Sequence, residues 1–151
     1  MENTARQARI VFTITLLLAV PLGFLAKTWI GVFYGAEFQA SGGAFSILLL
    51  GCVPFTICII LAGALAGMNR QGVNLAASSL GLGVTIALDV LLIPSFGISG
   101  AALASVLSYL VTTVVVVWIF SRIGSMPALD SVLLSRGDLR YLIDGFKSVL
   151  R

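Results

Sequence analysis

The chain has 151 residues, of which 59% are hydrophobic and 10% charged, with a formal net charge of +3 and no histidine. Soluble domains carry about 45–50% apolar and ~25% charged residues, and a soluble fold this small has too much surface per volume to hide so much apolar side chain. The missing histidine removes Ser-His-Asp and other His-based chemistry and His-ligated metal sites, so no catalytic residue, bound metal or cofactor is expected.

The first apolar run covers residues 10–30 and is interrupted by Pro21, where a kink is expected. Lys27 near its end can snorkel to the headgroups, and Trp29 and Tyr34 suit the interfacial belt. A signal peptide is the weaker reading, because the run is long and no small-x-small cleavage site precedes a soluble domain. The second run, residues 43–68, carries no charge and contains Pro54. The third, 73–93, holds one charge, Asp89. The fourth is 100–120. Each meets the ~20 residues needed to cross ~30 Å of hydrocarbon. Short connections are expected at 35–42, 69–72 and 94–99, the last closed by the turn formers Pro94 and Gly97.

Positive charge is divided unevenly between the two sides. With a cytoplasmic N-terminus, Arg6, Arg9, Arg70, Arg122, Arg136, Arg140, Lys147 and Arg151 lie inside and Lys27 lies outside. That asymmetry places both termini in the cytoplasm. Bases at the ends of apolar runs report topology, so no nucleic-acid partner is expected. Residues 1–122 thus form a four-helix transmembrane region and 123–151 a cytoplasmic amphipathic tail. In the tail Leu139, Leu142, Ile143, Phe146 and Leu150 share one helical face, Arg140 and Asp144 are spaced i,i+4, and Asp138 is an N-cap candidate. An interfacial helix or a segment packed on a parent protein both fit this pattern.

The third run carries the most informative polar pattern. Asn74, Ser78, Gly81, Thr85 and Asp89 fall in one stripe at helical spacing. Lipid cannot satisfy their hydrogen bonds, so the stripe should face protein or water. A pathway wall is the functional reading; a packed interhelical face is the structural one, preferred for Ser78 and Thr85. Asp89 can bind a coupling cation, exchange a proton or tie down the nearby turn. Arg70 either anchors topology or attracts an anionic headgroup. Small residues at four-residue spacing, Gly63 and Gly67 on the second run and Gly100, Ala104 and Ser108 on the fourth, favour close helix packing. Cys52 and Cys58 fit neither a CxxC pair nor a disulfide framework and read as small fillers. Gly81-Leu82-Gly83 opens a dinucleotide-type glycine pattern, but Ile86 occupies the third glycine position.

Several segments resemble a known family. Phe33-Tyr34-Gly35-Ala36-Glu37-Phe38 followed by Ala44-Phe45-Ser46-Ile47-Leu48, then Ala66-Gly67-Met68-Asn69-Arg70 with Asn74, are similar to segments of the Wzx-like polysaccharide and O-antigen flippases. These belong to the multidrug/oligosaccharidyl-lipid/polysaccharide exporter superfamily. Leu92-Ile93-Pro94-Ser95-Phe96-Gly97-Ile98-Ser99-Gly100-Ala101-Ala102-Leu103-Ala104 resembles the superfamily's late "IP-x-x-Gly-Ile-x-Gly-Ala-Ala" hairpin. The resemblance covers roughly residues 6–122, and its last motif is the most specific.

The resemblance implies an all-α membrane protein, here four transmembrane helices plus a C-terminal amphipathic helix, forming part of a larger two-lobed helical transporter. It implies alternating access, a lipid-linked oligosaccharide substrate flipped across the inner (plasma) membrane, surrounding membrane lipid as partner, and coupling to Na⁺ or H⁺. Asp89, where relatives often carry Asn, would bind the cation or fix the outer gate; Asn74 would line the inner cavity; Arg70 would attract phosphate. Four helices cannot form two lobes, so the expectation is a C-terminal fragment that works with missing N-terminal helices or by self-association. A cation-coupled multidrug exporter and a non-transporting membrane scaffold are the rival readings.

Overall fold

A computed structural model describes residues 2–124. Every regular element among them is helical: α1 (Glu2–Tyr34), α2 (Ser41–Gly67), α3 (Gln71–Phe96) and α4 (Ile98–Gly124), with a short 3₁₀ turn at Ala36–Phe38. All four are long and apolar enough to cross a membrane. The shortest has 26 residues, about 39 Å of helix against a hydrocarbon core of ~30 Å. The amphipathic helix expected over 123–151 lies outside the described residues, apart from the two that close α4.

The helices pack in the order α1–α2–α4–α3, with a lesser contact between α2 and α3. Chain neighbours α2 and α3 are therefore largely separated by α4. The buried core gathers Ala8, Ile57, Cys58, Leu61, Leu65, Ala77, Val116 and Phe120. All lie in the halves of their helices nearest the α2–α3 turn. Toward the other end the outward faces of α1 and α3 stay uncovered: Phe24 is 87% exposed and Val90 70%. In water such faces would drive aggregation; facing lipid or further helices they need no cover.

Close approach at glycines sets the packing. A Cβ on Gly42 would lie 2.8 Å from Lys27 Cα on α1, and one on Gly51 would lie 3.1 Å from Val106 Cα on α4. These two glycines are nine residues apart, about two and a half turns, so they mark opposite faces of α2. That placement lets α2 sit between α1 and α4. On the α3–α4 side, a Cβ on Gly100 would lie 2.7 Å from the Leu92 carbonyl carbon, and one on Gly81 would collide with Thr112 Oγ1. Gly100, Ala104 and Ser108 are all buried on α4. Gly63 and Gly67 differ from expectation. Both are exposed, and a Cβ on either meets nothing within 4 Å, so this pair does not hold the described bundle together. Spacing identifies a smooth helix face, but not whether a neighbour occupies it.

The helix ends follow local rules. Asn69 takes a left-handed conformation (φ 58°); Arg70 N–H donates to the Leu65 carbonyl at 2.9 Å and Asn69 N–H to the Ala66 carbonyl at 3.0 Å. This is a Schellman end to α2, with Asn where Gly is commoner. The expected turn at 94–99 is much tighter than its sequence indicated. Pro94 lies inside α3, where its missing N–H deprives only the Val90 carbonyl of a partner. The chain reverses at Gly97, whose φ 55° and ψ −133° suit only a residue without Cβ. The first helix also begins earlier than the apolar run at residue 10, because Ala5 and Ala8 are buried and extend the packed face. It continues through Pro21, as α2 does through Pro54.

These contacts separate two kinds of glycine. Gly81→Ala should lower the stability of the detergent-solubilised protein by about 1–3 kcal/mol through overpacking. Gly63→Ala should be neutral, or stabilising by up to about 1 kcal/mol through helix propensity. Chemical unfolding followed by circular dichroism measures both.

Candidate functional site

The polar stripe of α3 divides into parts with different surroundings. Gly81 is its buried centre and faces α4. The Gly81 carbonyl accepts the Ser108 hydroxyl at 2.7 Å from α4 and the Thr85 hydroxyl at 3.0 Å from its own helix. Thr112, one turn beyond Ser108, donates back to the Ser108 carbonyl at 2.9 Å. Thr85 is therefore satisfied within its own helix, on a carbonyl that also accepts a hydroxyl from α4. Ser78, by contrast, is exposed, so the stripe straddles the edge of the α3–α4 interface instead of facing one way.

Asn74 reaches the neighbouring helix on the other side. Its Nδ2 donates to the Ala62 carbonyl of α2 at 2.8 Å, while its buried Oδ1 has no hydrogen-bond partner. Asp89 is half-buried, and its Oδ1 is also buried with no hydrogen-bond partner. Fifteen positions of helix separate the two, about 22 Å, so Asn74 and Asp89 form no common site. Arg70 is exposed at the α2–α3 turn, at Asn74's end of the helix. Among the described residues no three potential metal ligands come together. Cys52 is exposed and Cys58 buried.

Two apolar cavities lie at the end remote from the core. One of about 590 Å³ is lined almost wholly by apolar groups, among them Leu22, Trp29, Phe33, Phe38 and Phe45. A second of about 330 Å³ shares Ile30, Ser41 and Phe45 and extends to Ala101 and Ser105 of α4. Trp29 and Phe33 stack at 5.3 Å between ring centroids. Sequence reading placed Trp29 and Tyr34 at an interface but missed that the aromatic residues border a hollow. It also missed Ser46, which donates to the Gly23 carbonyl of α1 at 2.8 Å; its four-residue spacing from Gly42 was the available signal.

Four helices long and apolar enough to cross a membrane, with uncovered apolar outer faces, define a multi-pass membrane protein. A family model, the lipid II flippase MurJ, matches residues 2–139. The chain belongs to this flippase family, whose members are transporters and not enzymes. It is 31% identical over 106 residues to the "Probable low-salt glycan biosynthesis flippase Agl15" of Haloferax volcanii, covering 68% of this chain and 22% of that protein. It is 26% identical over 117 residues to an uncharacterized membrane protein of Methanocaldococcus jannaschii, covering 75% of this chain and 23% of that protein. The chain thus spans less than a quarter of the length of these curated relatives. No solved structure matches it.

The stripe's division can be measured. Ser108→Ala removes the donor to Gly81 and should lower stability by roughly 0.6–1.7 kcal/mol, the range for interhelical hydrogen bonds in membranes. Ser78→Ala should leave stability unchanged. Unfolding of the two variants under identical detergent conditions tests the contrast.

Proposed function

We propose that the chain supplies a four-helix portion of a flippase that moves lipid-linked glycan precursors across the cytoplasmic membrane by alternating access. The family match over 2–139 carries this reading. The relative named as a glycan biosynthesis flippase supports a saccharide-bearing lipid as substrate. The uncovered faces of α1 and α3 support the need for further helices, from the rest of a longer protein or from other copies. Both termini lie in the cytoplasm on the charge argument.

Within this portion Arg70, exposed at the cytoplasmic turn, attracts the precursor's phosphate. Asn74, one turn further along α3, would line an inner cavity completed by further helices. Asp89, whose carboxylate oxygen lacks a protein donor, holds the coupling cation, Na⁺ or H⁺. Rocking of the four helices against the remainder exposes the cavity to each side in turn.

The test uses the intact parent protein in sealed vesicles with a lipid-linked oligosaccharide. Deleting the segment equivalent to α1–α4 should leave the precursor on the cytoplasmic leaflet; continued flipping without it refutes the proposal. Asp89→Asn should lower the rate about tenfold, through loss of a charge-assisted contact, and abolish the dependence on a Na⁺ or H⁺ gradient. An unchanged rate and gradient dependence would remove Asp89 from ion coupling.

A further inference from the structure

We infer a binding site for a lipid phosphate on the flank of α1, formed by Lys27, Thr28 and Gln39. These residues, with Gly31 and Val32, line a cavity of about 350 Å³. It lies on the side of the α1–α2 seam away from the aromatic hollow. Every polar side chain lining it can donate a hydrogen bond: an ammonium, a hydroxyl and an amide. No carboxylate lines it.

The local fold brings the donors together. After α1 ends at Tyr34, the 3₁₀ turn Ala36–Phe38 carries Gln39 back over the helix. Gln39 settles on Gly31: a Cβ there would lie 2.6 Å from Gln39 Nε2 and 3.0 Å from its Cγ. Lys27, one turn earlier, is held against Gly42 of α2, where a Cβ would lie 2.7 Å from Lys27 Cγ. Its stem is thereby packed while the residue as a whole remains exposed. Two glycines on two helices thus shape a polar notch beside a lysine whose stem is packed.

Depth supplies the reason for an anion. Lys27 lies seven residues before the end of α1, about 10 Å below it. A charge inside a spanning segment is costly unless it reaches the headgroups or a counter-charge. The Lys27 stem covers part of that distance by snorkelling. Thr28 and Gln39 continue the polar path, so a phosphate can descend into the notch and meet the ammonium. Basic pockets between helices on the cytoplasmic side take up anionic headgroups by this means, and the same charge pairing is available to Lys27 on the opposite side. The phosphate can come from a bulk phospholipid or from a polyprenyl phosphate carrier, and the site is independent of which precursor the protein moves.

The experiment is native mass spectrometry of the purified 151-residue chain with phosphatidylglycerol, with uncharged diacylglycerol as reference. The wild type should retain phosphatidylglycerol preferentially. Lys27→Gln should reduce that retention roughly fivefold, the scale of one cation near a lipid surface. Lys27→Arg should preserve it, and Gly31→Leu should weaken it by displacing Gln39 while every donor is kept. Circular dichroism confirms that each variant remains helical. Equal retention by wild type and Lys27→Gln overturns the site. A parallel titration with a polyprenyl monophosphate identifies the source. Tighter, Lys27-dependent retention than for phosphatidylglycerol assigns the site to the carrier; retention no tighter assigns it to bulk lipid.

Discussion

The bundle depends on helices that touch backbone to backbone. In lipid, apolar side chains gain little by leaving one hydrocarbon surroundings for another, so association rests on close packing and interhelical hydrogen bonds. Gly42, Gly51, Gly81 and Gly100 each mark a place where a Cβ would enter the neighbouring helix. Together they determine which helices are neighbours. Gly42 and Gly51, on opposite faces, put α2 between α1 and α4. Gly81 and Gly100 bring α3 against α4. Hydrogen bonds then add register: Ser46 to Gly23 between α2 and α1, Ser108 to Gly81 between α4 and α3, Thr113 to Pro54 between α4 and α2, and Asn74 to Ala62 between α3 and α2.

The seams also define what is left over. The packed core occupies one end of the bundle, and the apolar hollows and the lysine notch occupy the other. Asp89 belongs to the looser half of α3, Asn74 to the firm half, and Arg70 to the turn just before it. The polar residues singled out on this helix therefore serve different ends of it.

The four spans were legible because composition and length decide them: a charge-free run such as residues 43–68 has no other stable setting. The family resemblance was legible through the hairpin around Pro94 and Gly97, although the family model that matches is the lipid II flippase one, and the Wzx-like subdivision has no separate support. The order of packing was not legible. Gly63 and Gly67 have the spacing of a contact motif, while the glycines that make contact, Gly42 and Gly51, are nine residues apart and serve two partners. Nor could the sequence divide the α3 stripe, since Gly81, Thr85 and Ser78 lie close in angle and only the position of α4 separates buried from exposed. Pro94 misled for a local reason: a proline in a helix's last turn sacrifices one carbonyl partner and need not end the helix.

The order α1–α2–α4–α3 also bears on how the protein is made. Spans leave the ribosome in chain order, so α3 is synthesised before the helix against which it chiefly packs. Until α4 emerges, Gly81 has no Thr112 above it and its carbonyl no Ser108 hydroxyl; the Asn74 bond to Ala62 and the packing of Ala77 in the core tie α3 to the earlier helices. The tight reversal at Gly97 then delivers α4 directly alongside, making α3 and α4 a hairpin that completes itself and wedges α4 against α2. Assembly of this bundle is accordingly a last-helix event, and a chain cut short before Ile98 would leave α3, with its one acidic residue, stranded in lipid.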